Sequence, residues 1–170
     1  MTAARLRHEL QEIIHRLREV PELIEEWASL EKPAPGTLVL FAGPNGTGKT
    51  LAAEMLAKET GRELSRVDLD GVISKYIGET EKSLRELFKT AADRGAILFF
   101  DEADELFGKR GEVSDAHDRY ANLEVGYLLQ ALENYRGLAI IALKDTANLD
   151  DAFRRRLHFV IEFPLPETDE

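Results

Sequence analysis

Strand-like and helix-like hydrophobic patterns alternate along the chain. Short apolar or alternating runs occur at residues 37–42, 63–69, 97–100, 138–143 and 159–163. Between them, apolar residues recur at helical spacing, and three of these predicted helices stop at a glycine just before a strand. This order predicts an α/β fold with a five-stranded parallel sheet and helices on both faces. The run 63–69 alternates between polar and apolar residues, which favours an edge position or one wetter face.

A further amphipathic helix is predicted ahead of the first strand. The apolar residues that form its stripe are Leu6, Leu10, Ile13, Ile14 and Leu17. Pro21 is expected to end this helix or restart it, because proline lacks the N–H that the helix needs. A basic amphipathic helix can lie on a membrane, but Glu9, Glu12 and Glu19 dilute its positive charge. Packing on the domain or on a neighbouring subunit is therefore the favoured interpretation.

Composition narrows the class of protein. The 170 residues are 44% hydrophobic and 32% charged, as expected for one folded domain with a core. Lys and Arg number 22 against 32 Asp and Glu, so the net charge is −10 and nucleic acid is not an expected partner. There is no cysteine, which excludes disulfides and thiolate chemistry, and no apolar run of membrane-spanning length. We expect a cytoplasmic protein without a membrane partner.

A glycine-rich segment joins the first strand to the next helix. It reads Gly43-Pro44-Asn45-Gly46-Thr47-Gly48-Lys49-Thr50-Leu51. This spacing predicts a phosphate-binding loop, because glycines let the backbone curl with its N–H groups toward a phosphate, and the helix N-terminus adds partial positive charge. Lys49 is placed to reach the β- and γ-phosphates, and the Thr50 hydroxyl suits Mg²⁺. The alternative is an ordinary glycine-rich turn between a strand and a helix.

An acidic segment follows the apolar run 97–100. It contains Asp101, Glu102 and Asp104. Ligands of open α/β sheets bind at the carboxyl ends of the strands, so Asp101 is expected beside the phosphate loop, where it would hold Mg²⁺ through water or alongside Thr50. Glu102 is suited to act as a general base toward an attacking water. The alternative is an acidic cap that opens the next helix.

These two motifs, with the segment Ser74-Lys75-Tyr76-Ile77-Gly78-Glu79-Thr80-Glu81 between them, closely resemble the AAA family within the AAA+ ATPases, over residues 38–166. The resemblance implies a P-loop NTPase three-layer sandwich with strand order 5-1-4-3-2. It also implies ATP or ADP with Mg²⁺, and hydrolysis coupled to remodelling or threading of a protein in a homohexameric ring. By the same resemblance, residues 1–36 are a helical linker and residues 37–170 are the large nucleotide-binding subdomain.

The resemblance assigns a first pore loop to residues 75–78. By this match, the residues that would grip a polypeptide are Lys75, Tyr76, Ile77 and Gly78. An exposed Tyr-Ile pair beside a glycine is also, on physical grounds, an apolar contact on a mobile loop. The alternative is that Tyr76 packs into the core.

Residues 108–118 correspond to a second pore-facing loop of the family. This segment includes Lys109, Arg110, Asp115, His117 and Asp118. The last three are conceivable metal ligands. A single histidine among carboxylates on a polar loop is more often solvated, so no metal site is expected there.

Three consecutive arginines lie near the end of the chain. Arg154, Arg155 and Arg156 follow Asp150-Asp151-Ala152-Phe153 and precede Leu157, as in the family's Asp-x-Ala-Phe-x-Arg-Arg-Leu segment. The resemblance places two arginine fingers on Arg155 and Arg156, supplied to a neighbouring subunit. Guanidinium suits this task because it stays charged and offers two donors to a phosphoryl group. The alternative is a solvated basic helix end.

Two departures from the family pattern bear on activity. Lys144 occupies the position after the fourth strand where the family usually has the asparagine that positions the attacking water. It could contact the γ-phosphate or pair with Glu102 and weaken the general base. The chain also stops at residue 170, where the family continues into a helical lid, so weaker nucleotide affinity and poor ring assembly are expected. Asn45, where proline is common, is expected to leave the loop working.

Three functions follow from these expectations. The first is a Mg²⁺-dependent ATPase, with Lys144 and the missing lid lowering its rate. The second is a monomeric nucleotide-binding module with little turnover. The third is a scaffold whose loop is only a well-formed turn.

Overall fold

The computed structural model describes residues 3–28, 36–67, 79–104, 126–147, 149 and 151–165, with the side chains of all but 3, 17–28 and 79–80. Its helices are α1 (Ala3–Ala28), α2 (Lys49–Thr60), α3 (Glu79–Arg94), α4 (residues 126–134) and the short α5 (Asp151–Arg154). Its strands are β1 (Thr37–Ala42), β2 (Leu64–Val67), β3 (Ile97–Phe100), β4 (Leu138–Leu143) and β5 (Phe159–Glu162).

The five strands form one parallel sheet in the order β2-β3-β4-β1-β5. This confirms the predicted order 5-1-4-3-2, which is the same sheet counted from its other edge. It also confirms the edge position of the alternating second strand. In β1 and β4, Thr37 pairs with Leu138 and Ala42 pairs with Leu143, so the two strands end together. Residues that follow them meet at the carboxyl edge of the sheet.

Helices cover both faces of the sheet, as predicted. Successive residues of a strand point to opposite faces; in β1, Leu38 and Leu40 belong to one buried cluster and Val39 and Phe41 to the other. The first cluster includes residues of α3 and α4, and the second includes residues of α1 and α2. Burial on both sides explains why β1 is apolar from Leu38 to Ala42 and β4 is apolar throughout.

Glycines end two of the three helices for which they were predicted. The third prediction is wrong, because α4 ends at residue 134 and Gly137, three residues later, is not in the left-handed conformation. Gly61 follows α2 in the left-handed conformation, with φ 66°, and its N–H bonds to the Lys58 carbonyl at 3.3 Å. Gly95 ends α3 in the same way, with φ 63°. In both cases the chain turns directly into the next strand.

The prediction that Pro21 ends or restarts the first helix is wrong. Helix α1 continues through Pro21 to Ala28. Its first half is held by tertiary packing, because Ile13 is fully buried and α1 contacts α2 and β5. The packing of this half, rather than the position of the proline, holds α1 on the domain. It also confirms the expectation that α1 packs on the domain.

Several element ends differ from the predicted ones. The helix expected at 150–157 is limited to Asp151–Arg154, because Arg156 N and Leu157 N bond three residues back, to Phe153 O and Arg154 O, in a tighter turn. Strand β5 ends at Glu162 rather than at residue 163, and β2 is described over Leu64–Val67. The helix expected at 118–135 is described over 126–134.

Candidate functional site

The phosphate loop connects the end of β1 to the start of α2, as predicted. Gly46 and Gly48 have φ angles of 76° and 95°, which L side chains rarely adopt. A Cβ atom at either position would have no neighbour within 4 Å. The glycines are therefore required by the backbone conformation and not by packing, and this face of the loop is open to a ligand. The loop leads into the N-terminus of a twelve-residue helix.

Lys49 lies under this loop and is buried. Its Nζ donates hydrogen bonds to the carbonyl oxygens of Gly43, of Pro44 at 3.3 Å and of Leu143 at 3.4 Å. Burial lowers the pKa of Lys49, and the carboxylates of Asp101 and Asp104 oppose that shift. The ammonium thus connects the loop to the end of β4. Its expected contact with phosphates stays a prediction.

The acidic segment begins where β3 ends, at the same edge of the sheet. Asp101 Oδ1 accepts a hydrogen bond from Glu102 N at 2.9 Å, and its Oδ2 lies 3.7 Å from Arg66 Nη2. Asp101 is close enough to Lys49 to oppose the lowering of the pKa of Lys49. Thr50, which follows Lys49 in the chain, is half-buried in the first turn of α2. A hydroxyl and a carboxylate are oxygen ligands of the kind that Mg²⁺ prefers, so these residues fit the ion.

Glu102 is exposed and has a left-handed backbone conformation, with φ 52°. A non-glycine residue in this region costs about 1–2 kcal/mol. Strain of this kind is frequent at functional sites. The conformation is consistent with the role of Glu102 predicted from the sequence, which remains a prediction.

Lys144 is exposed at the end of β4. Burial is the main cause of the lowered pKa of Lys49. The positive charge of Lys144 adds to this lowering, whereas the neighbouring carboxylates oppose it, so the two ammonium groups lie within electrostatic range. The sequence suggested that Lys144 contacts the γ-phosphate or pairs with Glu102. The structure describes the side chains of both Lys144 and Glu102, and they form no ion pair with each other. The backbone N–H of Lys144 instead donates to Asp104 Oδ1 at 2.8 Å.

Asp104 belongs to the acidic segment, but the sequence alone predicted no role for it. Its Oδ1 accepts the bond from Lys144 and a longer one, 3.4 Å, from Asp145 N. The one available signal was its position close to the end of a buried strand, the same signal that identified Asp101 and Glu102. The sequence could not indicate which backbone groups it would reach.

Arg155 and Arg156 lie away from this edge. They line a cavity of about 330 Å³, whose other lining residues are Gly36, Leu38, Leu132, Glu133 and His158. Gly36 and Leu38 mark the start of β1, whereas the phosphate loop follows its end. Arg156 Nε lies 2.6 Å from Glu133 Oε1. The structure therefore does not bring these two arginines together with the phosphate loop of the same chain.

The remaining predicted site residues fall outside the described ranges. These are the first pore loop (Lys75, Tyr76, Ile77 and Gly78) and the second loop with Lys109, Arg110, Asp115, His117 and Asp118. Of the helices that the structure describes, none has the length and hydropathy that a membrane span requires.

Comparison with known proteins identifies one family. Residues 39–165 match the model of the ATPase family associated with various cellular activities (AAA). An uncharacterised AAA family ATPase of Sinorhizobium fredii is 41% identical over 76% of this chain and 39% of its own length. A putative 26S proteasome regulatory subunit homolog of Methanocaldococcus jannaschii is 36% identical over 93% of this chain and 42% of its own length. A proteasome-activating nucleotidase of Methanoregula boonei is 33% identical over 94% of this chain and 39% of its own length. The chain thus spans about two fifths of the length of these relatives.

Proposed function

We propose that this chain, which belongs to the AAA family of ATPases, binds and hydrolyses ATP with Mg²⁺ and uses the reaction to remodel or thread a protein. Residues 37–170 would be the large nucleotide-binding subdomain, and residues 1–36 a helical linker. One observation carries the proposal. The phosphate loop, Lys49 and the acidic segment meet at one edge of the sheet, and Lys49 hydrogen-bonds both to the loop and to the end of β4.

In this proposal the loop from Gly43 to Leu51 binds the phosphates through its backbone N–H groups and the N-terminus of α2. Lys49 exchanges its carbonyl partners for phosphate oxygens. Thr50 and Asp101 hold Mg²⁺, which when bound neutralises charge on the phosphate oxygens. Glu102 accepts a proton from the attacking water.

Arg155 and Arg156 would act on the nucleotide of a neighbouring subunit. The six residues of β1 span about 17 Å between the edge with the arginines and the edge with the loop. That distance argues against action within one chain. The ion pair of Arg156 with Glu133 is no obstacle, because the side chains are 45% and 34% exposed and such pairs contribute about 1 kcal/mol or less. A ring, hexameric by resemblance, would supply the neighbour.

Coupling to a protein substrate rests on the resemblance of residues 75–78 to a pore loop. The names of two relatives, a proteasome subunit homolog and a proteasome-activating nucleotidase, support the same class of substrate. Location in the cytoplasm belongs to this proposal too. Neither nucleic acid nor a membrane is proposed as a partner.

A second candidate function is a nucleotide-binding module with little turnover. It is favoured by Lys144, whose cationic side chain stands where the family usually has asparagine. Both functions require nucleotide binding. They differ in whether hydrolysis follows.

Thermal unfolding with ATP or ADP, with and without Mg²⁺, tests the binding that both functions share. A ligand that binds only the native state raises its melting temperature. We expect a rise for the wild type and for Lys58→Ala, an exposed control on α2, and none for Lys49→Ala. No rise in the wild type would contradict both functions and leave the scaffold.

Hydrolysis measured across protein concentration separates the two functions. Arginines supplied by a neighbour predict a specific rate that increases with concentration. A rate at background level at every concentration, in a protein that binds ATP, would identify the binding module.

A further inference from the structure

Asp104 connects the two strand ends that carry Glu102 and Lys144. Its Oδ1 accepts hydrogen bonds from the N–H of Lys144 at 2.8 Å and of Asp145 at 3.4 Å. One residue earlier, Ala103 N donates to Ala142 O at 3.1 Å. The turn after β3 is therefore attached to the end of β4 at two successive residues.

The two oxygens of the Asp104 carboxylate differ in their hydrogen bonding. Its Oδ2 is buried and has no hydrogen-bond partner among the described residues. A buried oxygen without a donor is destabilising. The shorter of the two bonds at Oδ1 has the length of a strong charge-assisted bond, and such bonds offset part of that cost.

Lys144 lies beside the start of the phosphate loop. Together with Ala42 and Gly43, it lines a cavity of about 260 Å³ at the carboxyl edge of the sheet. Where the Lys144 backbone is fixed decides how near its ammonium comes to a phosphate bound there.

We propose that Asp104 is a positioning residue, which holds the backbone of Lys144 so that the Lys144 ammonium is directed toward the terminal phosphate of the nucleotide. The inference rests on the proposed nucleotide site. It differs from that proposal because Asp104 itself touches neither nucleotide nor Mg²⁺. An acceptor at position 104 is what the role requires, and asparagine can provide one.

Amide hydrogen exchange in the protein without nucleotide tests the attachment. In Asp104→Ala we expect the N–H groups of Lys144 and Asp145 to exchange at least about tenfold faster, because their acceptor is gone. Asp104→Asn keeps an oxygen at this place and should stay within about threefold of the wild type. Asp93→Asn, an exposed site on α3, controls for loss of charge. The N–H groups of β1 should be unchanged in all variants, which shows that the fold is intact. Unchanged exchange at Lys144 and Asp145 in Asp104→Ala would overturn the inference.

A double-mutant cycle on nucleotide affinity tests the consequence for Lys144. Lys144→Ala should weaken binding of ATP relative to ADP about threefold or more in the wild type and in Asp104→Asn. The same change should have no further effect in Asp104→Ala. Equal effects in the wild type and in Asp104→Ala, or no effect in the wild type, would overturn the role. A wild type that binds neither nucleotide would contradict the proposed function as well, whereas altered exchange alone would still locate the attachment at Asp104.

Discussion

The two edges of the sheet differ in what each offers within one chain. At the carboxyl edge, the phosphate loop, Lys49 and the residues after β3 and β4 are joined by hydrogen bonds and electrostatic contacts. At the amino edge, Arg156 is paired with Glu133 beside an open cavity, and the side chain of Arg155 is exposed. The first edge has the groups that the proposed nucleotide site would use. The second has cations without a nearby phosphate site.

Under the proposed function, this division between the two edges makes the reaction depend on assembly. Binding groups need a rigid arrangement, and the end of a buried parallel sheet provides it. Groups that act only in the transition state can come from another chain, and placing them at the far edge makes hydrolysis conditional on a neighbour.

Replacing the arginines should affect hydrolysis and leave binding intact. We expect Arg155→Ala or Arg156→Ala to lower ATP hydrolysis by about 10³-fold, because an arginine supplied in trans stabilises charge in the transition state. Nucleotide affinity should change little. Steady-state hydrolysis and thermal shift measure the two effects. The control is Arg136→Ala, which replaces an exposed arginine between α4 and β4.

Mixing variants tests whether the arginines act across chains. Arg156→Ala retains the carboxyl edge, and Glu102→Gln retains the arginines, so a mixture should hydrolyse ATP faster than either variant alone. A mixture no faster than the sum of its parts would refute action in trans.

Glu102→Gln should lower hydrolysis by about 10²-fold or more while ATP still binds, because glutamine cannot accept the proton from water. Its amide has nearly the same shape, so the strained backbone at φ 52° should persist. Single-turnover hydrolysis and ATP titration provide the two numbers. Glu54→Gln, an exposed site on α2, is the matched control. A variant that hydrolyses at the wild-type rate would exclude Glu102 as the base.

Lys144→Asn should raise steady-state hydrolysis several-fold and change ATP affinity less. A shorter neutral amide can orient a water, whereas the lysine brings a second positive charge near Lys49. Lys58→Asn is the control for loss of a lysine. If restoring asparagine leaves the rate unchanged, Lys144 is not what limits turnover.

The sequence was sufficient for the fold because its signals were local and repeated. Continuous apolar runs in β1 and β4 reflect burial on both faces, and glycines after α2 and α3 reflect a left-handed residue at each helix end. Pro21 misled because a proline lowers the preference for helix without excluding it, and α1 continues through this residue to Ala28.

The candidate site was predictable only in part. Spacing and strand ends indicated Lys49, Asp101 and Glu102, because each follows a recognisable pattern. Asp104 was missed because its partners, the backbone N–H groups of Lys144 and Asp145, are about forty residues away along the chain and have no side-chain signature. The location of Arg155 and Arg156 likewise depends on where the chain turns after α5.

His158, at the amino edge, gives the smallest predicted effect and one that should leave the carboxyl edge untouched. Its Nδ1 accepts a hydrogen bond from Leu38 N at 3.0 Å, and partial burial, followed by the charge of Arg16, lowers the pKa of the ring. A lowered pKa means that the folded state holds the ring neutral while the unfolded state, with a value near 6.5, takes up a proton first. Stability should therefore be full above about pH 6.5 and decline as the pH falls through that value toward the folded pKa.

His158→Asn retains an acceptor that does not titrate, so the free energy of unfolding of this variant should decline less between pH 7 and pH 5. Urea unfolding across this range measures the difference, with His8→Gln on α1 as the control for loss of a histidine. Equal declines in the wild type and in His158→Asn would show that the bond to Leu38 does not depend on the protonation of His158, and a change in ATP affinity would show that the two edges are coupled.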